Sequence, residues 1–232
     1  VTLSIAARCA RTGQVGVAIA SSSPAVASRC AHVRAGVGAA CTQNVTDPRL
    51  GPWLLDLMAA GSTARDAVRH TAETEPLIAW RQLTAVGMEG SPAAFSGEHA
   101  LGTYAQAVGA DCVAAGNMLV NDGVPQAMVD AFAGAGATGA MPAELPLAER
   151  LLDALTAGLA AGGEEGPLHS AGLLVADAVP WPVVDLRVDW TEGEPVAELG
   201  LLWRLWEPQQ DAYVQRALDP GLAPSYGVPG DL

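Results

Sequence analysis

The segment from Thr2 to Ser23, TLSIAARCARTGQVGVAIASSS, constrains the fold more than any other part of the sequence. Residues 2–8 carry apolar side chains at nearly alternating positions, and Thr12-Gly13 is a turn signal. VGVAIASSS from Val15 then has the apolar content of a more fully buried strand. The chain opens with a hairpin. With 232 residues, half of them hydrophobic, it is long enough to bury that hairpin in one core of two or more layers.

The remaining pattern predicts how those layers are made. A third strand is expected over Val33–Gln43, with glycines suited to close packing. Asp47-Pro48 starts a helix carrying Leu50, Trp53, Leu54, Leu57 and Met58 at helical spacing, with Gly61 as its stop. Thr63 to Asp66 matches a capping box for a second helix. Strands follow over Gln82–Met88, Ala93–Ser96 and Cys112–Leu119. A helix over Asp122–Ala133 runs into the Gly/Ala stretch GAGATGA, which reads as a mobile loop. PLAERLLDALTAGLAAGG from Pro146 is the clearest helix, with Leu151, Leu152, Leu155 and Leu159 on one face. Strands return over Ser170–Asp177 and Val183–Trp190, then a helix over Glu194–Trp206 and another after Pro208. Runs of strands alternating with pairs of helices favour an α+β fold: two mainly antiparallel sheets face to face, helices on both outer sides, a four-layer αββα sandwich. Residues 1–219 read as one domain and 220–232 as a Pro/Gly-rich tail.

Charge and punctuation exclude several classes. Twelve basic against 25 acidic residues give a net charge of −13, which repels nucleic acid and anionic membrane. Apolar runs are broken well before the roughly 20 residues of a membrane span, and no secretory pattern is visible, so a cytoplasmic protein is expected. Cys9, Cys30, Cys41 and Cys112 form no C-x-x-C pair and read as small buried hydrophobes. The four histidines lack metal-ligand spacing, Gly36-Val-Gly38 lacks the rest of a dinucleotide fingerprint, and no nucleophile elbow or phosphate loop occurs. No metal or cofactor is expected.

The remaining chemistry lies at Thr2. If residue 1 is removed, Thr2 carries a hydroxyl nucleophile and a free α-amine whose pKa near 8 suits it to act as the base. A strand beginning at that residue holds it rigidly; the alternative is an ordinary β-branched residue at a strand start.

GVAIASSSPAVASR, AGVGAACTQ, RQL…AAFSG, GNML, PLAERLLDAL and VVDLRVD follow one another over roughly residues 2–205. In this run the sequence resembles the bacterial family catalogued as domain of unknown function 1028, which is similar in fold to the N-terminal nucleophile (Ntn) hydrolases and proteasome β-subunits. The resemblance implies that Thr2 occupies the nucleophile's place. It puts Ser22 where the proteasomal strand has the Asp that orients the amine, and His32, or its rival Arg34, near the place of the lysine that lowers the nucleophile's pKa. Thr42 and Gln43 are candidates for an oxyanion hole, as is Asn117, whose alternative is a turn residue bonding its own backbone. Arg29 and Arg81 are candidates for a substrate carboxylate, or for salt bridges. The implied activity is hydrolysis of a small amide or peptide-like substrate. The alternatives are a ligand binder that keeps the fold without the chemistry, and a scaffold. A homo-oligomer is also expected, with Trp53, Trp80, Trp203 and Trp206 either lining its interface or packing the core.

Overall fold

The computed structural model describes residues 2–135 and 145–228. β1 (Thr2–Arg8) and β2 (Val15–Ser21) form the expected hairpin, with Thr2 opposite Ser21 and Arg8 opposite Val15. The other edge of β1 pairs with β8 (Cys112–Asn117), which sets Thr2 opposite Asn117. β7 (Ala105–Val108), β9 (Ser170–Ala176) and β10 (Pro182–Val188) complete a six-stranded sheet in the order β10-β9-β2-β1-β8-β7. A second sheet has the order β3-β4-β5-β6, from β3 (Ala31–Arg34), β4 (Gly38–Asn44), β5 (Arg81–Gly87) and β6 (Ala93–Ser96). Every pairing is antiparallel.

Side-chain alternation along these strands assigns the layers. Leu3, Ile5 and Ala7 pack outward with Met128 of α4 (Val124–Asp130), Leu151 and Leu155 of α5 (Leu147–Ala160), and Leu199 of α6 (Pro195–Trp206). Ala6, Val17 and Ile19 face the other way, onto Ala39, Cys41 and Val86 of the second sheet. Ala40, Leu83 and Ala85 then meet Leu54 of α2 (Leu50–Ala59) and Val68 of α3 (Ala64–Thr74). The fold is thus α+β, two antiparallel sheets face to face between outer helices. Each large side chain buried this way contributes about 1.5–3 kcal/mol over exposure, so all three interfaces are apolar along most of their length. The polar exceptions gather at one end.

Several expectations need correction. Val33–Gln43 is two strands, β3 and β4, because the chain reverses around Gly36, whose φ of +68° is in the left-handed region open to glycine. β7 and the four-residue helix α1 (Ala27–Cys30) were not expected; both are too short to carry a period. α4 starts at Val124 and not at Asp122, since the Asn121 side chain holds the Gly123 amide in a turn. The GAGATGA stretch lies outside the described residues from Gly136 onward. The Thr63 hydroxyl accepts from the Asp66 amide at 3.1 Å, as the capping box requires. α7 (Gln210–Leu218) follows the expected Pro208, and Arg216 stacks over Tyr226 of the segment beyond it. Trp203 is buried and Trp206 donates from its indole to the Val183 carbonyl, so these two pack the core while Trp53 and Trp80 are exposed. All four cysteines are free and buried; burial pushes Cys41 and Cys112 up to about 12. No helix of the described residues is long and apolar enough to cross a membrane.

Candidate functional site

The polar end between the sheets is built around the start of β1. Thr2, Ser4 and Ser21 sit on the strand faces turned toward the second sheet, together with Gln43 of β4, Gln82 of β5 and Asn117 of β8. All six are buried, Thr2 being 5% exposed. Polar groups in such a place must satisfy one another, and they do so in two chains of hydrogen bonds.

The first chain leads away from Thr2. Thr2 Oγ1 lies 3.3 Å from Ser21 Oγ, which lies 2.8 Å from Ser23 Oγ, which accepts from the Arg29 guanidinium at 2.7 Å. Ser21 Oγ also accepts from the Ser23 amide at 3.1 Å. A donor sense running from Arg29 through Ser23 and Ser21 to Thr2 Oγ1 fits every one of these contacts. It directs positive charge and O–H dipoles at the Thr2 oxygen, which favours its deprotonated form. Arg29 is fixed for this task by two further bonds, to the carbonyls of Pro24 and Ala25.

The second chain ties the sheets together. Ser4 donates to Gln43 Oε1 at 2.6 Å, Gln43 Nε2 donates to Gln82 Oε1 at 2.8 Å, and Asn117 Nδ2 donates to the same Gln82 oxygen at 3.2 Å. Gln82 Nε2 in turn donates to the Gly116 carbonyl and Ser96. These bonds fix the orientation of each amide and leave one buried atom without a partner, Asn117 Oδ1.

The expected site residues fare differently. Thr2, Gln43 and Asn117 come together, with Arg29 linked to Thr2 through the two serines. Gln43 is held at both ends by the network, its oxygen accepting from Ser4 and its nitrogen donating to Gln82. The open atom of Asn117 is an acceptor, suited to an N–H and not to an oxyanion. Ser22 is one position off: the register sets Ser21 beside Thr2, and Ser22 lies just beyond the end of β2. His32 lies on the outer side of β3 against Gly51 of α2, where burial lowers its pKa and keeps it neutral. Arg34 pairs with Asp56 of α2 at 2.9 Å. Thr42 points outward as well and donates to the Asp47 carbonyl. Arg81 donates to the Val45 carbonyl from the outward-facing side of β5. One residue spacing along a strand decides all four, because a shift of one exchanges the sheet's faces. The expected removal of residue 1 falls outside the described residues.

Glu164 was missed. It follows the glycines that end α5, bridges to Leu119 just beyond β8, and is only 8% exposed. Neither carboxylate oxygen has a hydrogen-bond partner. Burial pushes its pKa up to about 8, although the Ser22 amide draws it downward. Nothing local in GGEEG marks one glutamate as interior; only the packing of this segment against β8 and β2 does. The segment also forms one wall of a cavity of about 510 Å³ with Leu168, His169 and Glu192. A cleft of about 610 Å³ between α2 and α3 lies on the far side of the second sheet and holds none of these groups.

The rim of the polar end is apolar. The Val45 amide donates to the Trp80 carbonyl, and the Leu101 amide to Asn44 Oδ1, while the Leu101 carbonyl accepts from Met118 next to Asn117. Val45, Trp80 and Leu101 are thereby gathered at the ends of β4, β5 and β8, each more than 40% exposed.

No curated protein matches the sequence. Among solved structures, a DUF1028 protein from Silicibacter pomeroyi is 31% identical, with a TM-score of 0.78 over 88% of each chain. Anbu, an ancestral beta-subunit from Yersinia bercovieri, is 14% identical with a TM-score of 0.38 over 96% of this chain and 100% of its own. The sequence itself matches, over residues 2–199, the family described as a family of unknown function, DUF1028. With that match spanning most of its length, this chain belongs to the DUF1028 family.

Proposed function

We propose that the protein is an N-terminal nucleophile hydrolase that cleaves a small amide or peptide-like substrate through an ester at Thr2. The observation that carries this reading is the run Arg29–Ser23–Ser21–Thr2, which aims a cation and two hydroxyls at one threonine oxygen at the start of a central strand. A threonine serving only the sheet needs no such relay. With residue 1 removed, Thr2 Oγ1 bonds the substrate carbonyl carbon while its proton passes to the α-amine and the carbonyl π electrons move to oxygen. The amine then returns the proton to the leaving nitrogen as the C–N bond breaks. Water, deprotonated by the same amine, hydrolyses the ester. Asn117 Oδ1 is placed to accept an N–H of the substrate, and Val45, Trp80 and Leu101 offer an apolar surface to one of its side groups. The same reading takes the layering of two sheets between outer helices as Ntn-hydrolase-like, and a cytoplasmic homo-oligomer belongs with it.

The test starts with the intact mass of untagged protein made from its native start codon. A mass beginning at Thr2 is expected, with turnover of amides and short peptides bearing an apolar group. Thr2→Ala should lower that turnover at least about a hundredfold while leaving binding of the same amides intact. Retention of residue 1, or a Thr2→Ala variant as active as the parent, would sink the hydrolase and leave a ligand-binding protein of the same fold.

A further inference from the structure

A buried carboxylate with no ion-pair partner among the described residues is expensive to keep, and Glu164 is placed where one cation is due. β1 is described from Thr2 onward, and its two neighbours run past that point, the chain of β2 into Ser22 and Ser23 and that of β8 into Met118 and Leu119. Along the continuation of β8, Leu101 and Thr103 take the Met118 and Leu119 hydrogen bonds on the side of β7. Glu165 donates to the Met118 carbonyl, and Val120 to the Gly163 carbonyl. The segment Gly163–Glu165 therefore runs on the opposite side, in the lane that β1 occupies up to Thr2. Both carboxylate oxygens of Glu164 are sealed from solvent although its segment walls a cavity. They face inward, toward the Ser22 amide, and Ser22 is the residue next to the one paired with Thr2.

We propose that Glu164 is the positioning residue for the α-amine of Thr2: once residue 1 is gone, its carboxylate takes the ammonium as ion-pair partner and holds it beside Thr2 Oγ1. This rests on the nucleophile reading above and supplies the carboxylate that neither Ser21 nor Ser22 provides. The other charged or titratable groups on the surrounding segments are Glu165, His169, Glu192, Glu194 and Arg29. Among the described residues none of them forms an ion pair with Glu164: His169 is 3.9 Å from Glu192, and Arg29 is held by Ser23, Pro24 and Ala25. The ammonium is thus a partner that Glu164 need not share. During attack the amine gains the hydroxyl proton, and the fixed carboxylate stabilises the charge that appears there.

The experiment is a titration and does not depend on turnover. Val1→Met is used so that the initiator is removed and the chain begins at Thr2, labelled with α-¹⁵N threonine. Its ¹⁵N shift is then followed against pH in the parent and in Glu164→Gln. The amine should titrate about one unit or more above the ordinary value near 8, and return to that value in Glu164→Gln; an equal midpoint in both overturns the proposal. Should Glu164→Gln fail to fold, the Glu164 δ-¹³C shift is read in the parent with and without one residue before Thr2. Its pKa should fall by more than a unit when Thr2 comes first; no change overturns the proposal. If amide turnover survives Thr2→Ala while these titrations remain coupled, the hydrolase reading fails and the ion pair stands.

Discussion

Ser21 and Ser22 differ by one position along the chain, yet Ser21 closes β2 opposite Thr2 while Ser22 lies beyond the strand. The register makes Ser21 the neighbour of Thr2, so Ser21→Ala should lower amide turnover roughly 10- to 100-fold with little change in KM. Ser22→Ala should do neither, measured on the same substrates. Trp80 belongs to the rim and not to the relay; Trp80→Ala should raise KM for amides with an apolar side group and leave kcat close to the parent's. Glu164 makes its own prediction on stability. Its carboxyl titrates near 8 when folded because burial disfavours the charge, against an ordinary value of 4.5. The folded state therefore holds the proton more tightly than the unfolded chain. The stability it contributes is full below about pH 4.5 and is lost as pH rises through about 8. In the chain that retains residue 1, urea unfolding should show this loss, and Glu164→Gln should flatten it. The sequence disclosed Thr2, Gln43 and Asn117 as polar residues at strand ends, but not which oxygen of which amide stays open, because that depends on bonds between strands about 40 residues apart.

Elements with a strong local signal were readable and the weak ones were not. α3 is announced by its cap and α5 by four leucines on one face, both of which are properties of adjacent residues. Thr63→Ala should cost about 1 kcal/mol in equilibrium denaturation, since it removes the acceptor of the Asp66 amide. β3 and β4 read as one strand because AGVG carries no polar turn residue, and the reversal uses glycine conformation instead. The same pair of strands explains why His32 lies far from Thr2: it fills the space over α2 left by Gly51. A β-carbon at Gly51 would overlap the His32 ring, so Gly51→Ala should destabilise by about 1–3 kcal/mol.

At the scale of the molecule, an excess of 13 negative charges is spread over a fold with five arginine–carboxylate ion pairs among the described residues. Self-repulsion of that size is screened by salt, so the melting temperature should rise by a few degrees between about 10 mM and 150 mM ionic strength. Calorimetry would decide it, and a fall with salt would show that attractive pairs dominate. The sequence by itself determined the class of fold, since apolar periods of two and of about 3.6 residues dictate which segments become strands and helices, and their order dictates paired layers. It determined as well that a threonine opens the central hairpin. Only the tertiary structure decided what surrounds that threonine. Register, and the docking of an irregular segment after α5, are settled by contacts between residues distant in sequence, and a slip of one residue or a glutamate turned inward leaves no trace in local pattern.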